Sequence, residues 1–379
     1  MSISFNVPCI IGSEGKYLRK VIRNRKLCGD GFFTKKASEL LAEITKSNKV
    51  LLTTSCSHAL DMCALLLNIK DGDEVIMPSY TFVSTANAFA LRGAEINFID
   101  IKSDTMNIDE SKIEPAITKN TKAIVVVHYA GISCDMDAVM ALSKRYNIPV
   151  IEDAAQAVNC SYKGRALGSI GRLGAFSFHE TKNYTCGEGG ALIINEDNLI
   201  EKAEIIREKG TNRSKYFRGQ VDKYTWVDLG SSYLPSEFNA AFLVAQLQEA
   251  ERIDADRLAT WKLYNGCLNE LFLAGDIELP VVPSYAKHNG HMYYIKTKNI
   301  HVREKLIEYL KRNDIQSVFH YIPLHSSPAG AKYGKFVGID ENTTKESERL
   351  LRLPMWYRLG TRNVEKVVKC IYSFYGKKL

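Results

Sequence analysis

Apolar and polar residues alternate along the first part of the chain in a way that predicts repeated strands and helices. Short apolar runs end at turn-forming residues, and each is followed by a segment with apolar residues three or four positions apart. This order is typical of βαβ units, which form a mostly parallel sheet covered by helices. The predicted strands cover residues 50–52, 74–77, 94–99, 123–128, 148–151 and 191–194.

Helices are predicted between these strands and after them. They cover residues 13–26, 34–46, 59–67, 199–208 and 237–255. In the second of these, Ala37, Leu40, Leu41 and Ile44 share one face.

The pattern changes towards the C-terminus, where a strand at 291–295, a helix at 303–312 and a strand at 318–322 predict a small α+β set. We place a boundary near Gln248. It divides the chain into a large α/β domain at 1–248 and a small domain at 249–379.

Composition narrows the class of protein. Of the 379 residues 45% are hydrophobic and 25% charged, as in an ordinary globular protein. No apolar run reaches about 18 residues, and no signal peptide is apparent, so we expect no membrane insertion. The net charge of +7 comes without a dense basic block, and we expect no nucleic acid partner. The nine scattered cysteines lack C-x-x-C spacing, which predicts reduced thiols, no metal site and a cytoplasmic protein.

Candidate chemistry begins at residues 176–183. A short apolar strand carries Ser177 and then Lys182 into a loop, and the glycine-rich stretch 186–190 follows. Glycines let the backbone approach a bound group closely. A lysine amine held at such a place suits Schiff-base chemistry. Taken alone, Lys182 would be interpreted as an exposed surface lysine.

A second motif changes that interpretation. The apolar run 148–151 predicts a buried parallel strand, and it ends in Glu152-Asp153-Ala154-Ala155-Gln156. Ligands of open α/β sheets bind at the carboxyl ends of strands. A carboxylate there can keep the pyridinium nitrogen of pyridoxal phosphate (PLP) protonated. Asp153 alone would be interpreted as a helix cap, but together with Lys182 it predicts a PLP site.

These motifs, with Gly187-Glu188-Gly189-Gly190 after them, resemble the DegT/DnrJ/EryC1/StrS family of sugar aminotransferases. The resemblance extends from Gly29 to about Arg362. It implies PLP as cofactor and the aspartate aminotransferase-like fold type I. That fold has a large α/β/α domain with a mixed, mostly parallel sheet and a small α+β C-terminal domain. It also implies a homodimer whose active sites lie between the subunits.

The resemblance assigns the cofactor phosphate to the start of the helix after strand 50–52. Cys56 and Ser57 stand where family members commonly carry Gly-Thr, and Ser177 joins them. A helix N-terminus favours an anion, although N-capping by Ser55 or Ser57 is an equally physical interpretation.

Other positions are matched to the cofactor and the substrate. Phe82 is placed over the PLP ring, although an isolated Phe is usually core, and Gln156 near the phenolic oxygen of the ring. Ser232 falls near an Asn that reaches the phosphate of the neighbouring subunit.

Gly29, His320, Tyr321 and His325 are placed by the resemblance beside the sugar. Gly29 also suits a plain turn, and each histidine also suits a buried position bonded to backbone. His128 ends a strand, and we favour a structural role for it.

The resemblance implies a specific reaction. Lys182 and Asp153 would be catalytic, and the amino group of L-glutamate would pass to dTDP-4-dehydro-6-deoxy-D-glucose, giving 2-oxoglutarate and dTDP-4-amino-4,6-dideoxy-D-galactose. Three segments, 27–34, 177–185 and 207–214, resemble the enzymes that make this sugar for enterobacterial common antigen. The alternatives are a gluco-configured product, a related dehydratase and a non-catalytic regulator. Lys182 argues against the dehydratases, which carry histidine there, and no output domain for a regulator is visible in the sequence.

Overall fold

The computed structural model describes residues 2–378. The outer bounds of the two expected domains, residues 1 and 379, lie outside that range. The α-helices are α1 Glu14–Asn24, α2 Phe32–Thr45, α3 Cys56–Leu66, α4 Val83–Ala90, α5 Ile113–Ala116, α6 Met136–Tyr146, α7 Ile200–Arg207, α8 Arg213–Phe217, α9 Glu237–Leu247, α10 Ala250–Cys267, α11 Asn269–Leu273, α12 Ile300–Arg312, α13 Pro328–Tyr333, α14 Thr343–Arg349 and α15 Thr361–Phe374.

The β-strands alternate with these helices through the first half of the chain. They are β1 Lys49–Thr53, β2 Glu74–Pro78, β3 Glu95–Ile99, β4 Thr121–Val127, β5 Val150–Asp153, β6 Ser161–Tyr162, β7 Arg165–Ala166, β8 Leu173–Ser177, β9 Gly190–Ile194, β10 Ala286–Lys287, β11 Tyr293–Lys296, β12 Gly334–Phe336 and β13 Leu350–Leu353.

Eight strands form one mixed sheet in the order β1-β9-β8-β5-β4-β2-β3-β12. The neighbours from β8 to β12 are parallel, whereas β9 runs antiparallel to both β1 and β8. The sheet is therefore mostly parallel, and the predicted α/β class is confirmed.

Alternate residues of the strands face two separate layers of helices. Leu51 and Val75 pack with residues of α3, α4 and α7 on one side. Leu52 and Ile76 pack with residues of α1, α2, α6 and α9 on the other side. This period of two makes a three-layer α/β/α arrangement and leaves the strand ends free to carry polar groups.

The antiparallel pair of β11 and β13 packs with α10, α12 and α15 around a separate apolar core, which we call the C-terminal unit. The boundary near Gln248 remains a prediction, and two segments cross it. Ile3 lies in the core of the C-terminal unit, and β12 joins the large sheet beside β3. No helix within residues 2–378 is long and apolar enough to span a membrane.

Two predicted elements differ from the structure. The helix at 237–255 is divided at Gln248 and Glu249 into α9 and α10. The strand predicted at 318–322 is wrong, because only Val318 forms an isolated bridge, to Arg352. Tyr321 has a φ of 39° and Pro323 follows two residues later, so the backbone leaves the extended conformation and continues as a loop.

Candidate active site

The candidate site is a cavity of about 450 Å³ at the carboxyl ends of β5 and β8. The start of α3 forms one part of its wall, and the C-terminal unit forms another through His291, His320 and Arg352. Phe5 and Asn6 of the N-terminal segment complete it. Residues far apart in sequence therefore meet where open α/β sheets bind ligands.

Asp153 ends β5 and is buried at the base of the cavity. Its Oδ2 accepts a hydrogen bond from Thr85 Oγ1 at 2.7 Å, and its Oδ1 accepts one from the Ala155 N–H at 3.2 Å. Since the Thr85 hydroxyl donates to Asp153, Thr81 Oγ1 donates to Thr85 at 2.8 Å. Turns rather than a helix follow at 154–160, so Asp153 is no helix cap. The carboxylate is held in one orientation from two sides.

Lys182 lies in the same cavity rather than on the outer surface. Its amine makes no hydrogen bond within the described part of the chain. Burial lowers its pKa, Cys56 and Asp153 act in the opposite direction, and Arg352 lowers it further. A lowered pKa increases the fraction of neutral amine near neutral pH, which is the nucleophilic form.

The loop that carries Lys182 is fixed by hydrogen bonds to the segment before β11. Asn183 Nδ2 donates to the carbonyl of Asn289 at 3.0 Å, and Asn183 Oδ1 is 2.9 Å from His291 Nδ1. Because the Asn183 oxygen can only accept, His291 carries its proton on Nδ1, and Nε2 is left as an acceptor in the cavity. Burial, reinforced by Lys182 and Arg257, lowers the pKa of His291 well below its ordinary value and keeps the ring neutral.

The start of α3, where the cofactor phosphate is predicted to bind, lies at the wall of the cavity. Ser55 Oγ accepts a hydrogen bond from the His58 N–H at 3.1 Å, so Ser55 is the N-cap of α3. Cys56 and Ser57 follow it at the cavity wall, and Ser57 Oγ is 2.7 Å from Ser84 Oγ. A Cβ on Gly190 would lie 2.4 Å from the Cys56 nitrogen, so only glycine fits there. Burial raises the pKa of the Cys56 thiol well above its ordinary value, and it is therefore neutral.

Further predicted residues line the cavity. Ser177 is buried at the end of β8. Gln156 Oε1 accepts from the Ala130 N–H at 2.6 Å, and its Nε2 donates to Tyr321 at 3.1 Å. Phe82 is 54% exposed and so is not a core residue; its ring centre is 6.1 Å from that of Tyr321. An open aromatic face at the cavity is available to a planar ligand.

The predicted substrate residues divide into two groups. His320 and Tyr321 line the cavity, and His320 Nδ1 is 2.7 Å from the Tyr129 hydroxyl. His325 lies outside it, with Nδ1 2.7 Å from Ser79 Oγ and Nε2 3.3 Å from Asp340. In this chain His325 does not line the cavity, and its ring contacts side chains rather than the backbone, so neither the substrate position nor the buried, backbone-bonded position is seen.

Gly29 and Ser232 lie in a second cavity of about 970 Å³ on the same chain, away from Lys182. There Asp30 pairs with Arg207 at 2.7 Å. Within one chain, neither residue touches the candidate active site.

His128 has the structural role that we favoured. Its Nε2 is 2.9 Å from Glu152 Oε2, and its Nδ1 accepts from the Cys134 N–H at 3.3 Å. Glu152 also accepts from the backbone N–H groups of Gly168, Ile170 and Gly171. This buried network supports β5 from behind and is turned away from the cavity.

Sequence reasoning missed Thr85, His291, Arg352 and Phe5. A single arginine among the leucines of β13 is a charge that requires a partner, and that signal could have identified Arg352. Phe5 carries no comparable signal, because its position depends on the bridge between Ile3 and Ile315.

Comparisons with known proteins agree with this geometry. Residues 8–372 match the model of the DegT/DnrJ/EryC1/StrS aminotransferase family. The uncharacterized protein MJ1066 of Methanocaldococcus jannaschii is 35% identical over 345 residues, which are 89% of each chain. The aminotransferase TlmJ of Streptoalloteichus hindustanus is 26% identical, with a TM-score of 0.91 and 99% of both chains covered. A DegT/DnrJ/EryC1/StrS aminotransferase of Brucella abortus is 27% identical, with a TM-score of 0.88 and 96% of this chain and 95% of that chain covered.

The chain belongs to the DegT/DnrJ/EryC1/StrS aminotransferase family. The family is PLP-dependent, so PLP is its cofactor, and the fold is that of the PLP-dependent aminotransferases. The predicted family, fold and cofactor are thereby confirmed.

Proposed function

We propose that this aminotransferase moves the amino group of L-glutamate to C4 of dTDP-4-dehydro-6-deoxy-D-glucose. The products are 2-oxoglutarate and dTDP-4-amino-4,6-dideoxy-D-galactose. The observation that best supports aminotransfer is that Lys182, Asp153 and the start of α3 lie in one cavity. The choice of sugar is supported by the resemblance of segments 27–34, 177–185 and 207–214.

The residues of the cavity fit PLP. The start of α3 with Ser57 and Ser177 suits a phosphate, because N–H groups and a helix dipole face it. Asp153 suits the protonated ring nitrogen, and Phe82 offers a face for the ring. When bound, PLP supplies an electron sink that acidifies the Cα–H of an amino donor.

Lys182 is the residue that we propose to move the proton. Its amine, with a pKa lowered by burial, would take the proton from the donor Cα and return it at C4′ of the cofactor. Asp153, fixed by Thr85 and Ala155, would hold the ring nitrogen in its protonated form. The neutral rings of His291 and His320 add no competing charge beside that amine.

We also propose the homodimer. Phe217, Trp226 and Leu229 are 69%, 74% and 57% exposed on one segment, and a second chain could cover these apolar side chains. In such a dimer Gly29 and Ser232 would serve the neighbour's site. All nine cysteines are unpaired, which supports a reducing cytoplasmic location.

The test is the reaction itself. The PLP-bound enzyme is mixed with glutamate and dTDP-4-dehydro-6-deoxy-D-glucose, and the amino sugar is examined by NMR. An axial amine at C4 is the expected result. An equatorial amine would give the gluco-configured alternative and keep every role above. PLP binding without any turnover of glutamate would favour the non-catalytic regulator.

A further inference from the structure

The segment 289–291, just before β11, contacts both sequence motifs of the active site. The side-chain amide of its first residue, an asparagine, donates to the carbonyls of Gln156 at 3.1 Å and Val158 at 2.9 Å. The carbonyl of the same residue accepts from Asn183 Nδ2 at 3.0 Å, directly after Lys182 in the chain. One short segment therefore holds the loop after β5 and the loop that carries the lysine.

His291 ends this segment, and its backbone and ring are both held. Arg257 donates to the carbonyls of Gly290 at 3.1 Å and His291 at 2.6 Å. Nδ1 of the ring donates to Asn183 Oδ1 at 2.9 Å, so Nε2 is an acceptor in the cavity. Within residues 2–378 no donor is bonded to Nε2. Because His291 is only 4% exposed, we expect a group inside the cavity to supply the missing donor.

The amine of Lys182 is a donor in the same situation. It lies in the same cavity, and no acceptor within the described part of the chain is bonded to it. Charge on Lys182 lowers the pKa of His291, which shows that the two groups are close enough to interact. A flexible four-carbon stem carries the amine, and rotation of that stem can bring the amine to Nε2.

Several other polar groups of the cavity are less suited to hold this amine. Asp153 accepts hydrogen bonds on both oxygens and is assigned to the cofactor nitrogen. Gln156 Oε1 accepts from the Ala130 N–H at 2.6 Å. Cys56 is a neutral thiol, which is a weak acceptor, and Arg352 has only donors.

The other two histidines that line the cavity do not offer the same acceptor. Tyr80 donates to the carbonyl of His320 at 2.9 Å and is 3.4 Å from the Tyr129 hydroxyl, so Tyr129 gives its proton to His320 Nδ1 at 2.7 Å. His320 then carries its own proton on Nε2 and presents a donor. His179 has a side chain that is 42% exposed and lies 3.7 Å from Glu188.

A neutral acceptor suits an amine that has to carry a proton. If one N–H of the Lys182 amine is bonded to Nε2, the nitrogen and its lone pair are held in one direction. Since burial keeps the pKa of His291 well below its ordinary value, the ring does not take the proton for itself. The amine is then oriented before the reaction, which lowers the entropic part of the barrier.

We propose that His291 is a positioning residue for Lys182. Nδ1 fixes the lysine loop through Asn183, and Nε2 accepts a hydrogen bond from the lysine amine whenever that amine is free of the cofactor. This role rests on the proposed function in one respect, since it takes Lys182 as the proton carrier. The contact itself is expected in the protein without cofactor, where it can be measured without any turnover.

Two substitutions separate the two nitrogens of the ring. His291→Asn keeps a donor at the position of Nδ1 and has no atom at that of Nε2. His291→Gln places an amide oxygen near the position of Nε2 and lacks the donor at Nδ1. His288→Asn is the matched control, because that histidine lies three residues earlier and outside the cavity, with its ring centre 4.7 Å from that of Trp261.

The first readout is the pKa of Lys182 in the protein without cofactor. Acetylation with acetic anhydride at a series of pH values, followed by peptide mass spectrometry, measures it, with exposed Lys163 as internal reference. A hydrogen bond to Nε2 favours the ammonium form, so His291→Asn should increase the acid dissociation constant of Lys182 about tenfold. In His291→Gln the constant should stay within about threefold of the wild-type value. The other groups that act on this pKa remain in place, namely Cys56, Asp153 and Arg352.

The second readout is the reaction of the PLP-bound enzyme with glutamate, followed by cofactor absorbance. His291→Asn should lower the limiting rate about tenfold, while the half-saturating glutamate concentration changes less than about threefold. His291→Gln should recover most of the rate. Unfolding with denaturant should rank the two variants in the opposite order, because only His291→Gln leaves Asn183 Oδ1 without its donor.

The outcomes separate this inference from the proposed function. A pKa of Lys182 that falls in His291→Asn, but not in His291→Gln or His288→Asn, supports the contact even if the enzyme does not aminate the proposed sugar. An unchanged pKa in His291→Asn overturns the inference. So does an equal change in both His291 variants, which is the result that altered packing alone would give. Turnover retained in Lys182→Ala would remove the proposed function and, with it, the positioning role.

Discussion

The cavity has two walls that differ in how one fixed charge on each, Asp153 or Arg352, is paired. The sheet wall consists of Asp153, Gln156, Ser177 and Lys182, with Thr85 buried behind Asp153. The C-terminal wall consists of His291, His320, Tyr321 and Arg352. On the sheet wall the carboxylate of Asp153 has two hydrogen-bond donors from the chain itself. On the C-terminal wall His291, His320 and Tyr321 are hydrogen-bonded, whereas Arg352 Nε has no acceptor among the described residues.

This difference corresponds to what each wall would bind. A cofactor stays through every turnover, so the groups that face it can be fixed in advance by bonds within the protein. Two chemically different substrates would use the rest of the cavity in turn. A wall that binds the two substrates in turn benefits from charged groups that find a partner only when a substrate is bound.

The largest expected effect comes from removing the amine of the sheet wall. Lys182→Ala should reduce turnover by about 10⁴-fold or more, because both the nucleophile and the proton carrier are lost. The absorbance band of lysine-bound PLP should disappear with it. Lys163→Ala is the control, since Lys163 is exposed and pairs with Asp137 at 2.6 Å. Retained transamination in the Lys182 variant would contradict the assignment.

The next effect is expected at Asp153. Asp153→Asn should still bind PLP, because the start of α3 and Lys182 remain. Its rate should fall roughly 10²- to 10³-fold, as for other fixed electrostatic groups at a reacting centre. Titration with PLP and single-turnover kinetics measure the two quantities separately. If the rate is unchanged, Asp153 has no part in the mechanism.

Asp254, which is bonded to the loop that carries Lys182, should affect how the stability of the fold depends on pH. Asp254 accepts a hydrogen bond from Tyr184, two residues after Lys182. Burial, opposed by Tyr184 and Asn159, raises the pKa of Asp254 from 3.8 to about 6. The folded state then holds this proton more tightly than the unfolded state. Stability therefore falls as pH rises between about 3.8 and about 6, by up to about 3 kcal/mol for this group.

In Asp254→Asn the free energy of unfolding should depend less on pH between 4 and 6. Denaturant unfolding at several pH values measures this slope. Tyr184→Phe removes a hydrogen bond that favours the ionised carboxylate and should extend the decrease to higher pH. An unchanged slope in Asp254→Asn would show that another group titrates there.

The two walls also differ in how well they could be predicted from sequence. Asp153 and Lys182 each follow an apolar strand within a few residues, so local pattern alone places them at the sheet edge. Gln156 and Ser177 come with the same motifs. The short distance in sequence between strand end and site residue makes this wall predictable.

The C-terminal wall depends on contacts that local pattern does not contain. The strand predicted at 318–322 would have directed alternate residues to opposite faces, whereas the φ of 39° at Tyr321 brings both His320 and Tyr321 to the cavity. Phe5 reaches Arg352 because the N-terminal segment pairs with residues more than three hundred positions away, Ile3 with Ile315 and the Phe5 N–H with Gln316 Oε1. Gly29 and Ser232, which the resemblance matches to substrate and cofactor, lie in the second cavity of this chain.

The smallest expected effect tests whether the sheet wall acts as a connected set. Thr85→Val keeps the shape of the side chain but removes the hydrogen bond to Asp153 Oδ2. The rate should fall about five- to tenfold, since Ala155 still holds the other oxygen. In an Asp153→Asn background the same change should cost much less, because the two residues act through one contact. Thr81→Val, one bond further away, should have a smaller effect than Thr85→Val. If the losses at Thr85 and Asp153 multiply in the double variant, the threonine acts independently, and the difference between the walls reduces to the unpaired charge of Arg352.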